Sequence, residues 1–428
     1  MKKFHNEAMQ ETYVKTTLKN GLDVVIIEKP GYAKSHFLFV TPFGAAHSKL
    51  LDEREQTISF TDGLAHFLEH KMFESEHGDV LTQYSEMGIS ANAFTSYFET
   101  AYYFSTTMEI EKPLNLLLDF VQVLEINEPS VEKEKGIIVQ ELKMYQQMSD
   151  VRFIQELFAS LYHQHPLKND IGGTEQSVNS ITLKQLYDCY EINYHPQNML
   201  LVCVSGQDSQ SILDIITKNQ EGKNFPDVPK VHKYTYDEPE EVVRPSYTFT
   251  MDVSQKKYGL GIKMHGVEDS KQRSQLDMAL KILLEGTFSS AGKYVQPWLD
   301  ARYINDSFSY DSDLGEDYGF LILTSETEQP DVLEAKFMDA LTEMKEKLIS
   351  EESLASMKRK LMGYQIRILN RFEDYAISYA RAKFLGLDFY ERLTSIADIT
   401  MQDLRTVADA IDLNKCARLV LEGKNKAD

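Results

Sequence analysis

The chain of 428 residues contains few cysteines, tryptophans and prolines: three, one and 12, respectively. Cys189, Cys203 and Cys416 are too few and too scattered for a disulfide framework. No apolar run approaches the roughly 20 residues of a membrane-spanning helix, and residues 1–11 lack the apolar stretch of a signal peptide. These absences predict a cytoplasmic protein with reduced thiols and no membrane span.

Basic side chains are also scarce. The sequence has 45 Lys and Arg against 66 Asp and Glu, which gives a formal net charge of −21. This charge argues against nucleic acid and anionic membrane surfaces as partners, because their phosphates would be repelled. It is compatible with cationic peptides as substrates and equally with an acidic surface that aids solubility, so both interpretations stay open.

The most informative segment is the pentapeptide H-F-L-E-H at residues 66–70. Two histidines four residues apart project from one face of a helix and can bind a single metal ion. Zinc accepts neutral imidazoles and leaves a position for water, whose proton the adjacent Glu69 can accept. The pattern therefore predicts a hydrolase. The alternative is an amphipathic helix with surface histidines, but the apolar neighbours Phe67 and Leu68 predict burial.

A second predicted helix, Val131–Tyr145, offers a third ligand. Glu134 and Glu141 lie two helical turns apart on one face, which they share with Ile138. Carboxylates on such a partly apolar face are better ligand candidates than Glu132, which sits among lysines.

The order and spacing of H-F-L-E-H and E-K-G-I-I-V-Q-E at residues 134–141 resemble the inverted-motif zinc peptidases, the family of pitrilysin, insulysin and the mitochondrial processing peptidase. The resemblance implies that His66, His70 and Glu141 bind one Zn²⁺ per chain. It also implies that Glu69 is the catalytic base and that Glu134 orients the site from outside the ligand set. The choice of zinc over manganese or cobalt rests on the family, since such a ligand set accepts several metals.

The segment Ser90–Phe104 is rich in β-branched and aromatic residues, which predicts a strand. It resembles the edge strand of these peptidases, with the pattern N-A-x-T, along which an extended peptide pairs through main-chain hydrogen bonds. The resemblance implies substrate contacts by Asn92, Ala93, Phe94 and Thr95. An ordinary strand of a sheet remains the alternative for each of these residues.

The length predicts two domains, and an internal repeat supports them. The pattern I-T-x-x-x-L begins at Ile181 and again at Ile399, and each copy leads to an apolar strand. Strands mixed with longer helices predict an α+β fold of two homologous domains, each a largely antiparallel sheet with helices packed on one face. The polar stretch 218–244 separates a zinc-binding domain, residues 1–225, from a C-terminal domain without the metal motif, residues 226–428. The resemblance implies that the two domains form half of a clamshell.

One departure from the family predicts a partner. Family members with a complete catalytic surface carry an Arg and a Tyr at a fixed spacing in the second domain, where they contact the substrate carbonyl. Alignment at Leu299 puts Asp300 and Ser307 at those two places, and Arg302 and Tyr303 are adjacent to each other. We therefore expect a heterodimer with a homologous subunit that lacks H-x-x-E-H but carries the Arg and Tyr, similar to a bacterial pair of such subunits. A homodimer stays open.

These features predict a zinc endopeptidase that cleaves peptides or unfolded segments. The alternative from another functional class is a non-catalytic peptide-binding or partner subunit with a structural or vestigial metal site. Glu69 argues against this alternative, because a structural site has no use for a base beside an open position.

Overall fold

Short strands alternate with helices of up to 20 residues in the computed structural model, which describes residues 2–75 and 78–424. The strands are β1 (Lys2–Asn6), β2 (Glu11–Thr17), β3 (Asp23–Glu28), β4 (Ser35–Thr41), β5 (Lys49–Asp52), β6 (Thr57–Ser59), β7 (Glu74–Ser75), β8 (Gly78–Asp79), β9 (Ser90–Thr95), β10 (Thr100–Thr106), β11 (Leu200–Ser205), β12 (Val231–Lys233), β13 (Ser246–Met251), β14 (Lys257–Met264), β15 (Ser309–Leu314), β16 (Gly319–Glu326) and β17 (Cys416–Gly423). The α-helices are α1 (Leu64–Lys71), α2 (Val80–Glu86), α3 (Glu111–Val121), α4 (Glu128–Gln147), α5 (Ser149–Leu161), α6 (Glu175–Ser180), α7 (Leu183–Asn193), α8 (Ser209–Glu221), α9 (Ser270–Phe288), α10 (Val295–Asp300), α11 (Pro330–Lys347), α12 (Glu351–Ile368), α13 (Phe372–Phe384), α14 (Phe389–Thr394) and α15 (Met401–Ala410).

The chain forms two compact units, each assembled from separate segments. The first unit comprises Met1–Lys143, Asp170–Tyr234 and Ile366–Tyr390. The second comprises Met144–Asn169, Thr235–Gln365 and Glu391–Asp428. Each unit thus takes a helical segment from the other half of the chain. The division into domains 1–225 and 226–428 stays a prediction.

Each unit contains a largely antiparallel sheet, which confirms the predicted α+β class. The sheet of the first unit has the order β1-β2-β3-β11-β4-β10-β9, and only β3 and β11 pair in parallel. The sheet of the second unit has the order β13-β17-β14-β16-β15, and only β13 and β17 pair in parallel. Five neighbouring strands of the first sheet, β3-β11-β4-β10-β9, therefore correspond in order and direction to the five strands β13-β17-β14-β16-β15 of the second.

The repeated pattern I-T-x-x-x-L is a helix start. The hydroxyl of Thr182 accepts a hydrogen bond from the main-chain N–H of Gln185, whose side chain accepts one from the N–H of Thr182. Thr400 and Asp403 form the same capping box at α15. These caps fix where α7 and α15 begin, and each helix is followed by the strand that pairs in parallel with the first strand of its repeat.

The central strands of the first unit are buried on both faces. In β4, Phe37 and Phe39 belong to the hydrophobic core that includes α1, α3 and α4, and the alternate residues Leu38 and Val40 are buried as well. Helix α13 packs on β4 and β11. A strand with such a continuous apolar run needs cover on both faces, which explains why α13 belongs to this unit.

Helix α5 packs in the same way on β14 of the second unit. A Cβ atom at Gly259 would stand 2.9 Å from the ring of Phe153, and one at Gly261 would stand 3.2 Å from Leu157 and Leu161. The two glycines therefore allow close contact between helix and strand, which is a common use of glycine inside a strand.

Two further predictions, made from the amino-acid composition, concern the thiols and membrane-spanning helices. Cys189, Cys203 and Cys416 are buried and free. Within residues 2–75 and 78–424, no helix combines the length and apolarity needed to cross a bilayer.

Candidate metal centre

Helix α1 carries the H-F-L-E-H motif, and its position depends on close packing at its first residue. Gly63 precedes the helix with a left-handed φ of 88°, and a Cβ atom there would lie 2.3 Å from the carbonyl oxygen of Gly172. Only glycine tolerates both conditions. From this start, Phe67 and Leu68 point into the hydrophobic core and are fully buried, so the opposite face of the helix presents its polar residues.

That polar face and helix α4 bring together three side chains that could hold a metal ion. The ligand atoms of His66, His70 and Glu141 all lie within 4.8 Å of one another. The Oε2 atom of Glu141 is 3.8 Å from Nε2 of His66 and 3.5 Å from Nε2 of His70. Among the residues that the structure describes, this is the one group of three His, Cys, Asp or Glu side chains with metal-binding geometry.

The spacing of these atoms fits a zinc ion. The two distances from Glu141 are too long for hydrogen bonds, so the three groups do not satisfy one another. Bonds of about 2.1 Å at a tetrahedral metal separate two ligand atoms by about 3.4 Å, close to the observed spacing. Burial and the neighbouring His70 lower the pKa of His66 to about 4. His66 is therefore neutral at pH 7, as a metal ligand must be.

Glu134 lies behind His70, on the side away from Glu141. Its Oε1 atom is 3.0 Å from Nδ1 of His70. Burial alone would raise the pKa of Glu134, but the hydrogen bond with His70 and the charge of Lys71 lower it. Likewise, burial opposes protonation of His70, but the hydrogen bond with Glu134 and the surrounding carboxylates raise its pKa. An ionised Glu134 that accepts from Nδ1 leaves Nε2 of His70 free for a metal.

Lys71 is a contributor that the sequence reasoning missed. Its side chain is only 3% exposed, and its ammonium donates to Glu74 and lies 3.5 Å from Oε2 of Glu134. Glu74 also accepts a hydrogen bond of 2.7 Å from the hydroxyl of Ser130. The sequence pattern that could have indicated this ion pair is a lysine directly after the motif, on a mostly buried helix, with a glutamate three residues later.

Glu69 lies on the same face of α1 as the two histidines. Its Oε2 atom accepts a hydrogen bond of 2.5 Å from the hydroxyl of Thr95. Burial raises the pKa of Glu69, and the hydrogen bond from Thr95 opposes this rise. A carboxylate with a raised pKa beside a metal-binding group has the properties of a general base.

The predicted single strand Ser90–Phe104 is wrong in one respect: it is a hairpin. Strands β9 and β10 pair antiparallel, with Thr95 opposite Thr100. The hydroxyl of Ser96 accepts hydrogen bonds from the N–H groups of Phe98 and Glu99, which turns the chain. Strand β9 is the last strand of the seven-stranded sheet, so Asn92, Ala93, Phe94 and Thr95 do lie on a sheet edge.

The second unit places Asp300 and Ser307 in different local settings. Asp300 ends α10, and its carboxylate accepts from the side chain of Gln296. The Ser307 hydroxyl donates to Asn305 and accepts from the N–H of Glu326. Both residues are exposed, and neither can act as the cationic and phenolic pair that the family pattern requires.

Two family models and a relative that spans nearly the whole chain match this protein. The family model described as "Insulinase (Peptidase family M16)" matches residues 59–175, and "Peptidase M16 inactive domain" matches residues 180–361. The zinc protease YmfH of Bacillus subtilis is 34% identical over 409 residues, which is 95% of each chain.

Two other matches cover only part of the matched protein. The mitochondrial-processing peptidase subunit beta of Neurospora crassa is 27% identical over 208 residues, 47% of this chain and 42% of that protein. The crystal structure of pitrilysin superposes with a TM-score of 0.71 at 19% identity, over 98% of this chain and 46% of pitrilysin.

A solved structure also matches the whole chain. The crystal structure of an M16-like peptidase from Alicyclobacillus acidocaldarius superposes with a TM-score of 0.92 at 31% identity, and covers 97% of this chain and 99% of that one. The predicted resemblance to the inverted-motif zinc peptidases is thereby confirmed: the chain belongs to peptidase family M16, the insulinase family.

Proposed function

We propose that this chain is a zinc-dependent endopeptidase that cleaves peptides or unfolded segments. The observation that carries the proposal is the convergence of His66, His70 and Glu141 beside Glu69. Relatives along nearly the whole chain are named zinc proteases, which supports the same function. We expect one zinc ion per chain, held by these three residues.

The residues divide the chemistry among them. Zinc, when bound, lowers the pKa of a water molecule and polarises the substrate carbonyl. Glu69 takes the proton of the attacking water and passes it to the leaving amide nitrogen. Glu134 holds Nδ1 of His70, so that the imidazole keeps the orientation and tautomer of a ligand.

Strand β9 is the proposed substrate platform. An extended peptide adds to a free sheet edge through main-chain hydrogen bonds, which explains how such an enzyme accepts many sequences. The N–H of Ala93 donates a hydrogen bond to the side-chain oxygen of its own neighbour Asn92 at 2.9 Å, rather than to β10. This N–H is therefore directed to the free edge, where a peptide can replace the Asn92 contact.

The proposal includes a homologous partner. Asp300 and Ser307 cannot supply positive charge or a phenolic donor to the substrate carbonyl, so another subunit with the Arg and Tyr is expected to provide them. The mitochondrial relative is named as a subunit, which supports this arrangement. Mixing the purified chain with such a homologue should raise peptide cleavage, and full activity of the chain alone, unchanged by the homologue, would contradict the partner requirement.

A second candidate is a non-catalytic peptide-binding subunit whose metal site is structural or vestigial. The match to the M16 inactive domain favours it. That match begins at residue 180, beyond His66, Glu69, His70 and Glu141, and therefore concerns the part of the chain without the metal motif.

Substitution of Glu69 separates the two candidates. Glu69→Gln should abolish cleavage of an unstructured fluorogenic peptide while zinc content, measured by mass spectrometry, stays at about one per chain. The matched control is Glu132→Gln, an exposed glutamate on α4 that pairs with Lys135 and should change nothing. Wild-type cleavage by the Glu69 variant would refute the assigned base. Peptide binding without cleavage by the wild-type chain and its partner would favour the non-catalytic subunit.

A further inference from the structure

The hydrogen bond between Thr95 and Glu69 gives Thr95 a different role from the substrate contact that the family pattern implies. The Thr95 hydroxyl has a single proton, and the 2.5 Å contact with Oε2 of Glu69 uses it. Thr100, opposite in β10, donates its own proton to the carbonyl oxygen of Phe43 at 2.8 Å. The two threonine hydroxyls therefore donate to different acceptors, Thr100 to Phe43 and Thr95 to Glu69.

The alternation of side chains along β9 explains this contact. Successive residues of a strand point to opposite faces of the sheet. Ala91 and Ala93 pack against the core of the first unit, which includes Phe67 and Leu68 of α1, and Thr95 continues the same face. Phe94 lies on the other face, where its ring contacts Tyr103 at 6.2 Å between centroids. The Thr95 side chain is therefore directed to α1.

The main chain of β9 also has polar groups directed to the free edge of the sheet. The N–H of Ala93 is bonded to Asn92 and not to β10, and the alternation of antiparallel pairs directs the main chain of Thr95 to the same free side. The main chain of Thr95 also hydrogen-bonds the Glu69 carboxylate, so both the hydroxyl and the main chain of Thr95 contact the proposed base. One residue can thus connect the substrate strand to the base.

We propose that Thr95 is a positioning residue for Glu69: its hydroxyl fixes Oε2 and thereby orients the carboxylate for proton transfer. The proposal rests on the proposed peptidase function of Glu69. It predicts an effect on the chemical step, whereas a side-chain contact to substrate would act on binding.

Two substitutions at Thr95 test this role. Thr95→Val keeps the shape and removes the donor, and should lower kcat about 10- to 100-fold, as loss of an orienting hydrogen bond does. KM and zinc content should stay within about twofold because binding groups are untouched. Thr95→Ser restores the donor and should recover most of kcat. Thr342→Val, the same change at an exposed threonine on α11 whose hydroxyl donates to the carbonyl oxygen of Met338, is the control and should leave both parameters unchanged.

Crystal structures of the zinc-loaded wild type and Thr95→Val provide a second readout that does not need activity. We expect the Glu69 carboxylate to leave its wild-type orientation in the Val variant. A raised KM with unchanged kcat, or an unmoved Glu69 carboxylate, would overturn the proposal. If the wild-type chain and its partner cleave no peptide, the proposed function fails, and the crystal structures alone decide the role of Thr95.

Discussion

Replacement of Glu134 by Gln should weaken zinc binding although Glu134 is not one of the three metal-binding side chains. The change keeps the size of the side chain and an oxygen that can accept from Nδ1 of His70, 3.0 Å away. It removes the negative charge that makes this hydrogen bond strong. We expect His70 to become a poorer ligand, since the partner of a ligating imidazole sets its orientation and basicity.

The size of the effect follows from the hydrogen bond. A bond to a charged acceptor contributes about 1.5–3 kcal/mol, and one to a neutral acceptor about 0.5–1.5 kcal/mol. The difference of about 1–1.5 kcal/mol corresponds to roughly a tenfold rise in the zinc dissociation constant. Competition with a chromophoric chelator at pH 7.5 measures this constant directly, without any need for peptide cleavage.

Two controls make the result interpretable. Glu132→Gln removes a charge from the same helix outside the site and should leave the dissociation constant unchanged. Glu141→Gln removes a ligand and should cost far more than the change at Glu134. A Glu134→Gln protein that binds zinc within twofold of wild type would refute the role given to the Glu134–His70 hydrogen bond.

Three further predictions concern stability. Burial lowers the pKa of His36 from 6.5 to about 4. As the pH falls, His36 of the unfolded chain therefore takes up a proton before His36 of the folded chain does. About 3 kcal/mol of folding stability that is present above pH 6.5 is lost as the pH falls through 4. Urea unfolding of the metal-free protein at pH 7.5 and 4.5 should show a smaller loss for His36→Gln than for wild type, and equal losses would contradict this assignment. Gly63→Ala should destabilise the protein by several kcal/mol and abolish zinc binding, since its Cβ atom has no room beside Gly172; normal zinc binding would show that α1 can move. Gly136→Ala, in the exposed middle of α4 with open space around it, should instead raise stability by about 0.5–1 kcal/mol, and a lower melting temperature would show that this helix position is constrained.

The sequence was sufficient for features that depend on local spacing. His66 and His70 share a face because they are one helical turn apart. The repeat I-T-x-x-x-L was visible as a local pattern, and the structure adds that Thr182 and Thr400 cap helices in it. The choice of Glu141 as the third candidate ligand came from the resemblance to a family, since no local rule links α1 to α4. The α+β class followed from the mixture of strand and helix patterns.

Features that depend on tertiary packing were not predictable in this way. The hairpin within residues 90–106 was missed because its turn uses Ser96, Tyr97, Phe98 and Glu99, of which the two aromatic residues also favour strands. The place of α5 and α13 in units formed mainly by the other half of the chain depends on which sheet faces need cover. Thr95 was assigned from its motif alone, and only the structure shows that its hydroxyl is bonded to Glu69.

Removal and stepwise return of the metal would show whether peptide cleavage depends on one zinc site and on Glu69. The chain, with its homologous partner, is stripped with a chelator, assayed on an unstructured peptide, and titrated with zinc. We expect no cleavage without metal and full recovery at one zinc per intact His66, His70 and Glu141 site, with no recovery in Glu69→Gln at the same zinc content. Cleavage by the metal-free protein, or recovery in the Glu69 variant, would contradict the zinc-dependent mechanism with Glu69 as its base.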